Sequence, residues 1–314
     1  MRTLKLHPLI KPFTEDYLQV SDFHKIRYAL YGNPKGNPVF FLHGGPGSGS
    51  DDDDARWFNP KKYLVVTHDQ RGCGKSKPFG ELKENNIKEL VEDIEKLRLH
   101  LNIINPISIF AGSWGSTLAL LYARKYPQKV KRMILRGIFT CTFEEQDYFY
   151  RADGAARFSP VKWNNLVSAL PKGNGTLQKR INNLFESSDK KGRMKWCRLL
   201  ADYEYSFFNV SNVNFEKAMT DFEKVYTEMR LNIYYQANRF FLKDKEILKN
   251  ISKIRKIPLT IIHGMNDLVC LPVAAWNLHK LLPHSEFHLI PEAGHTSSHP
   301  NMQQALLKAI RNWK

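Results

Sequence analysis

Short apolar runs alternate with helix-period segments through the first 140 residues of this chain, lapse, and resume after about residue 250. NPVFFLHG carries an apolar run ending at His43, and KYLVVTHD carries another ending at Asp69. A helix follows, with Ile87, Leu90, Val91, Ile94, Leu97 and Leu101 at three- and four-residue spacings. Then come the strand PISIF (Pro106–Phe110), an apolar helix over Ser116–Ala123, and VKRMILRGIF (Val130–Phe139). The late portion repeats the pattern with IPLTIIHG (Ile257–Gly264), a helix near Ala274–Leu282, EFHLI (Glu286–Ile290) and a terminal helix. Strands that alternate with helices predict an α/β architecture: a mostly parallel sheet with helices on both faces.

The middle breaks this rhythm. From Cys141 to Leu248 the chain is rich in aromatics and charge, with helical stretches such as MKWCRLLADYEYSFF and KVYTEMRLNIYYQANRFFL. It predicts a helical cap over 141–248, inserted into a discontinuous core formed by 1–140 and 249–314. ALPKGNGTL (Ala169–Leu177) reads as a loop inside that cap, and SDDDD (Ser50–Asp54) as a solvated loop.

At 314 residues with 42% hydrophobic content, the chain can bury a sizeable core. No apolar run approaches the roughly 18 residues that span a bilayer, so no membrane association is expected. The N-terminal MRTLKLHPLIKPF lacks the continuous apolar stretch of a signal peptide. Cys73, Cys141, Cys197 and Cys270 lie far apart, which suits free thiols and a cytoplasmic setting. The net charge of +16 is partly local, since Lys172–Arg198 holds eight Lys/Arg against two acids. No nucleic-acid-binding motif accompanies it, so a nucleic-acid partner is not expected. No metal-ligand spacing is present, and neither a metal nor another cofactor is expected. Oligomeric state is left open.

The chemistry is carried by Ala111-Gly112-Ser113-Trp114-Gly115. A strand that turns into a helix within five residues needs small neighbours, and it projects the central Oγ away from the backbone. A serine hydroxyl also needs a base, and the base an orienting group. Asp267 in IIHGMNDLVC and His295 in LIPEAGHTSSH each follow a strand, and strand ends on one sheet edge are where open α/β sheets place ligands. The order Ser, Asp, His is that of the α/β hydrolases. HGGPGSG (His43–Gly49) also follows a strand. Gly44 and Gly45 bring its backbone close to a substrate, and the N–H groups of Gly45 and Trp114 are the expected oxyanion donors.

HGGPGSG, DQRGCGKS (Asp69–Ser76), GSWGSTLALLYA, LRGIF (Leu135–Phe139) and AGH (Ala293–His295) together resemble the proline iminopeptidases, over nearly the whole chain. The resemblance implies an α/β-hydrolase fold with a helical cap. It implies a serine aminopeptidase that releases N-terminal proline, or a related small residue, from short peptides through Ser113, Asp267 and His295, without metal or cofactor. It also implies cap glutamates that hold the substrate's free amine. Glu204 matches one of them, with Tyr203 in place of the preceding tryptophan. Where the family reads Arg-Ile-Glu-x-His-Tyr-Phe, this chain has Arg230-Leu231-Asn232-Ile233-Tyr234-Tyr235-Gln236. Asn232 thus replaces the second glutamate, and Gln236 a phenylalanine of the proline-ring pocket. Phe139 and Cys270 match positions beside that pocket, and Ala111 replaces a glycine. The alternative is an esterase or amidase of the same fold, acting on neutral acyl groups.

Overall fold

The structure, a computed structural model, describes residues 3–208 and 219–313. Among these residues the strands form one eight-stranded sheet in the order β1-β2-β4-β3-β5-β6-β7-β8. β1 (Thr14–Gln19), β2 (Lys25–Gly32) and β4 (Tyr63–His68) pair antiparallel in that order. From β4 onward, β3 (Asn37–Leu42), β5 (Ile107–Gly112), β6 (Val130–Arg136), β7 (Leu259–Gly264) and β8 (Glu286–Ile290) all run parallel. The mostly parallel sheet is the one the alternating pattern predicts. The β1–β2 hairpin at its edge is an addition to that prediction.

Side-chain alternation along the central strands fills two separate cores. Ile107, Ile109 and Ala111 of β5 face α1 (Ile87–His100), α2 (Trp114–Lys125) and α9 (Pro272–Leu281). Phe110 of β5 and Ile134 of β6 face the other way, toward Trp57, Phe58 and α10 (Pro300–Arg311). β5 is therefore buried on both faces, which is why its sequence reads as a continuous apolar run.

Between β6 and β7 the chain forms α3 (Phe143–Phe149), α4 (Pro160–Ala169), α5 (Leu177–Ser187), α6 (Lys190–Tyr205), α7 (Phe222–Ala237) and α8 (Glu246–Lys249). A third apolar cluster, including Phe149, Leu166, Phe185, Trp196, Leu200, Tyr203 and Met229, holds α3 to α7 together, while Ile247 of α8 joins the first core. α7 is shared. Its Val225, Met229 and Ile233 belong to the third cluster, while Tyr235 packs into the first against Trp114. The basic residues between Lys172 and Arg198 are exposed except Arg180, which is half-buried.

All four cysteines are buried and unpaired. Among the described residues, no helix is long and apolar enough to cross a membrane, and no cluster of His, Cys, Asp or Glu is arranged to hold a metal.

The reading of Ser50–Asp54 as a solvated loop needs correction. Asp51 caps a short 3-10 helix, Asp52–Trp57, by accepting from Asp53 N, and Asp54 reaches back to the Asp51 N–H at 3.0 Å. The acids are placed by capping geometry, which turns Asp54 inward.

One close approach fixes the sheet to α2. A Cβ on Gly115 would lie 2.2 Å from the Leu42 carbonyl oxygen, so only glycine lets the helix start this near β3. Gly115→Ala is expected to cost roughly 1–3 kcal/mol through overpacking. A urea midpoint unchanged from the native chain would contradict this packing.

Candidate active site

Ser113 sits between the last residue of β5 and the first of α2 with φ +56° and ψ −130°. A non-glycine residue is seldom found there, and the surroundings hold it in place. Its N–H donates to the Arg136 carbonyl at 3.0 Å, and its own carbonyl accepts from Ser116 N at 2.8 Å and Ser116 Oγ at 2.7 Å. The side chain is half-buried and borders a cavity of about 400 Å³.

Asp267 and His295 reach it from the loops after β7 and β8. Those loops are stitched together, since Asn266 N donates to Ala293 O at 2.9 Å and Met265 N to Ile290 O at 3.0 Å. Gly264 allows the approach, because a Cβ there would lie 2.4 Å from the carbonyls of Ala293 and Gly294. The result is a continuous relay. His295 Nε2 lies 3.0 Å from Ser113 Oγ, and His295 Nδ1 lies 2.8 Å from Asp267 Oδ2. The other carboxylate oxygen, Oδ1, accepts from Val269 N and Cys270 N, each at 2.9 Å.

Burial alone would raise the Asp267 pKa, but His295 beside it and its hydrogen bonds hold it below the ordinary carboxylate value. A second buried imidazole, His263, lies 3.4 Å from Asp267 Oδ2. Its Nδ1 accepts from Ile138 N at 3.1 Å, so the proton resides on Nε2, which donates to Cys270 O at 2.7 Å. Burial lowers its pKa and keeps it neutral.

The HGG loop comes within reach of the serine from the β3 side. A Cβ on Gly44 would lie 3.5 Å from Ser113 Cβ. Gly45 has φ +109°, and a Cβ there would lie 2.4 Å from Gly47 N, so the turn requires glycine. The Trp114 N–H belongs to the first turn of α2 and has no acceptor in its own helix. The loop is anchored through Gln70, whose N–H donates to His43 Nε2 at 3.1 Å and whose Nε2 donates to His43 O at 3.1 Å. Gln70 Oε1 accepts from the Trp114 indole at 2.8 Å. Gln70 lies in the DQRG segment, and its capacity to bond both flanking loops is visible only once they are folded together.

Gly44, Gly45, Phe139, Glu204, Asn232, Gln236 and Cys270 all line the same cavity as Ser113 and His295. Phe139 packs edge-on against Phe240, with ring centres 5.2 Å apart. Phe208, just past α6, stands edge-on to the His295 imidazole at 5.6 Å. Glu204 accepts from Tyr150 Oη and, at 2.7 Å, from Asn232 Nδ2. Burial pushes its pKa up to about 7, against the pull of those donors. Asn232 therefore serves as a support for Glu204, and its Oδ1 in turn accepts from Gln236 Nε2 at 3.4 Å.

The structure adds a carboxylate that the motif comparison passes over. Glu228 lies one helical turn before Asn232 on α7, and Glu228, Asn232 and Gln236, each four residues apart, form a stripe along the cavity. Glu228 accepts from Ser48 Oγ and Tyr205 Oη, both at 3.2 Å, and burial raises its pKa. The i−4 spacing from Asn232 is the signal that could have found it. Glu145 also borders the cavity, but both its oxygens accept from Thr140.

Comparison with known proteins agrees with this architecture. The family profile described as the alpha/beta hydrolase fold matches residues 37–301. The proline iminopeptidase of Arabidopsis thaliana is 37% identical over 318 residues, covering 98% of this chain and 82% of the relative. The proline iminopeptidase of Neisseria gonorrhoeae is 38% identical over 313 residues, covering 98% of each. This chain belongs to the proline iminopeptidase family of α/β hydrolases. Among solved structures, an alpha/beta hydrolase enzyme from a Medee basin deep-sea metagenome library superposes with a TM-score of 0.66 at 19% identity, covering 95% of this chain and 98% of that one. That likeness carries the fold alone. As a member of the family the chain is a hydrolase.

Proposed function

We propose that this chain releases N-terminal proline, or a related small residue, from short peptides through an acyl-enzyme on Ser113. The observation that carries the proposal is a pair of carboxylates, the buried Glu204 and the half-buried Glu228, on the wall of the cavity that holds the serine. Among the described residues neither is ion-paired, and carboxylates so withdrawn from water call for a cation, which for an aminopeptidase is the substrate's free ammonium. Glu204 and Glu228 receive it, and Asn232 orients Glu204. Phe139, Cys270 and Gln236 border the side chain of the first residue.

With the ammonium fixed, the first carbonyl lies over Ser113. His295 Nε2 takes the Oγ proton as Oγ attacks, and Asp267 stabilises the imidazolium. The N–H groups of Gly45 and Trp114 meet the oxyanion. His295 then gives its proton to the leaving nitrogen, and water, activated by the same imidazole, releases the amino acid. Residues 141–248, of which 209–218 lie outside the described residues, act as a cap that closes the site, with Phe208 shielding His295 from bulk water and long or folded chains excluded. Function in the cytoplasm is part of the same reading.

The test compares prolyl arylamide with its N-acetyl derivative. The free amine is expected to be preferred by roughly a hundredfold or more, and Glu228→Gln to lower kcat/KM on it about ten- to a hundredfold, the worth of one charge-assisted hydrogen bond. Equal turnover of the blocked substrate would instead favour an esterase or amidase acting on neutral acyl groups.

A further inference from the structure

Residues other than the two glutamates also border the cavity that holds Ser113. They include Phe41, Trp57 and Phe110 of the second core, and Asp54 and Arg136. Arg136 ends β6 and is partly buried. Its Nη1 donates to the His295 carbonyl at 2.6 Å, and among the described residues no carboxylate lies within ion-pairing distance of it. Among the described residues the other guanidinium N–H groups have no acceptor given to them, yet Arg136 keeps its charge at any physiological pH. Burial disfavours its charge and Asp267 and Asp54 favour it from a distance, yet its one hydrogen-bond partner is a neutral carbonyl, so a cation bordering the reaction cavity in this way can take an anion.

We propose that Arg136 binds the C-terminal carboxylate of a dipeptide substrate, so that the enzyme selects for peptides whose leaving group is a single free amino acid. This inference rests on the aminopeptidase reading above. The ammonium held by Glu204 and Glu228 places the acyl residue on the cap side of Ser113. His295 must protonate the leaving nitrogen, so the leaving residue lies beside His295, whose carbonyl Arg136 already touches. Arg136 also lies close to the nucleophile in the backbone. The guanidinium packs on Gly112, where a Cβ would lie 2.6 Å from Nε, and Gly112 directly precedes the nucleophile. One residue spans at most about 3.6 Å, so the carboxylate of a dipeptide reaches Arg136 while that of a tripeptide lies a full residue beyond it. Asp54 does not oppose this. Burial pushes its pKa up to about 8, so it is largely protonated at neutral pH and carries little negative charge.

The experiment compares Pro-Gly, Pro-Gly-amide and Pro-Gly-Gly as substrates of the full chain. Native enzyme is expected to show at least a tenfold higher kcat/KM for Pro-Gly than for Pro-Gly-amide, with Pro-Gly-Gly near the amide. Arg136→Gln is expected to bring the Pro-Gly to Pro-Gly-amide ratio to within about twofold, and Arg136→Lys to keep part of the preference. The ratio cancels any loss common to both substrates from disturbing His295. Equal native rates on the acid and the amide would overturn the proposal without any variant, as would a ratio preserved in Arg136→Gln. Failure of the aminopeptidase reading looks different: neither substrate would be cleaved, or cleavage would survive in Ser113→Ala.

Discussion

Ser113→Ala is expected to lower kcat on a prolyl arylamide by about 10⁴-fold or more. The serine, histidine and aspartate of a relay act as a unit, so removing the nucleophile alone forfeits nearly all that the three supply together. What remains comes from the oxyanion donors and from binding. The N–H groups of Gly45 and Trp114 belong to the HGG loop and the first turn of α2, and neither depends on the serine hydroxyl. Substrate affinity should therefore change little while turnover collapses. The local backbone offers no reason for the variant to unfold, because the Ser113 hydrogen bonds that secure the turn use its N–H and carbonyl. A fluorophosphonate should label the native chain at Ser113 and leave the variant unlabelled. Turnover of the arylamide that persists at the native level in Ser113→Ala would remove the catalytic reading altogether.

Much of this site can be read from the sequence because the parallel sheet makes it readable. Each buried central strand is a short apolar run, and the residues that follow such runs lie along one edge of the sheet. Ser113, Asp267 and His295 are each found that way, although they are far apart in the chain. The proposed amine-binding side is harder. It is built on α7, where the relevant spacing is the helical turn, and a motif register centred on Asn232 draws the eye past Glu228, four residues earlier. In the folded chain the two side chains share one stripe, and Asn232 becomes the support of Glu204. Asp54 was hidden for another reason. In a run of four acids nothing marks one as buried, and it is the capping bond to Asp51 N that turns it toward the cavity. The β1–β2 hairpin escaped because β1 is exposed along most of its length, which erases the apolar alternation that betrays a strand. Gln70 and Arg136 stood inside recognisable motifs, but their roles depend on which loops fold against them.

Asp267→Asn is expected to lower kcat by about 10⁴-fold while leaving the fold intact, and the hydrogen bonds around this side chain give the reason. Asp267 Oδ1 accepts from two backbone N–H groups, of Val269 and Cys270, and Oδ2 faces His295 Nδ1. An asparagine in the same place has one oxygen and one NH₂ group. Two fixed backbone donors require the oxygen on their side, because the reverse orientation would leave both N–H groups buried against another donor. The NH₂ group is then directed at His295 Nδ1, which must become an acceptor. That moves the imidazole proton to Nε2, where it points at Ser113 Oγ, and a protonated Nε2 cannot take the serine proton. His263 cannot repair the relay, since its own Nδ1 is committed to Ile138 N and its Nε2 to Cys270 O. The two imidazole states give distinct ring ¹⁵N shifts, so the tautomer can be read directly. Asp267→Asn with native activity, or with the His295 proton still on Nδ1, would show that the carboxylate does not govern the base.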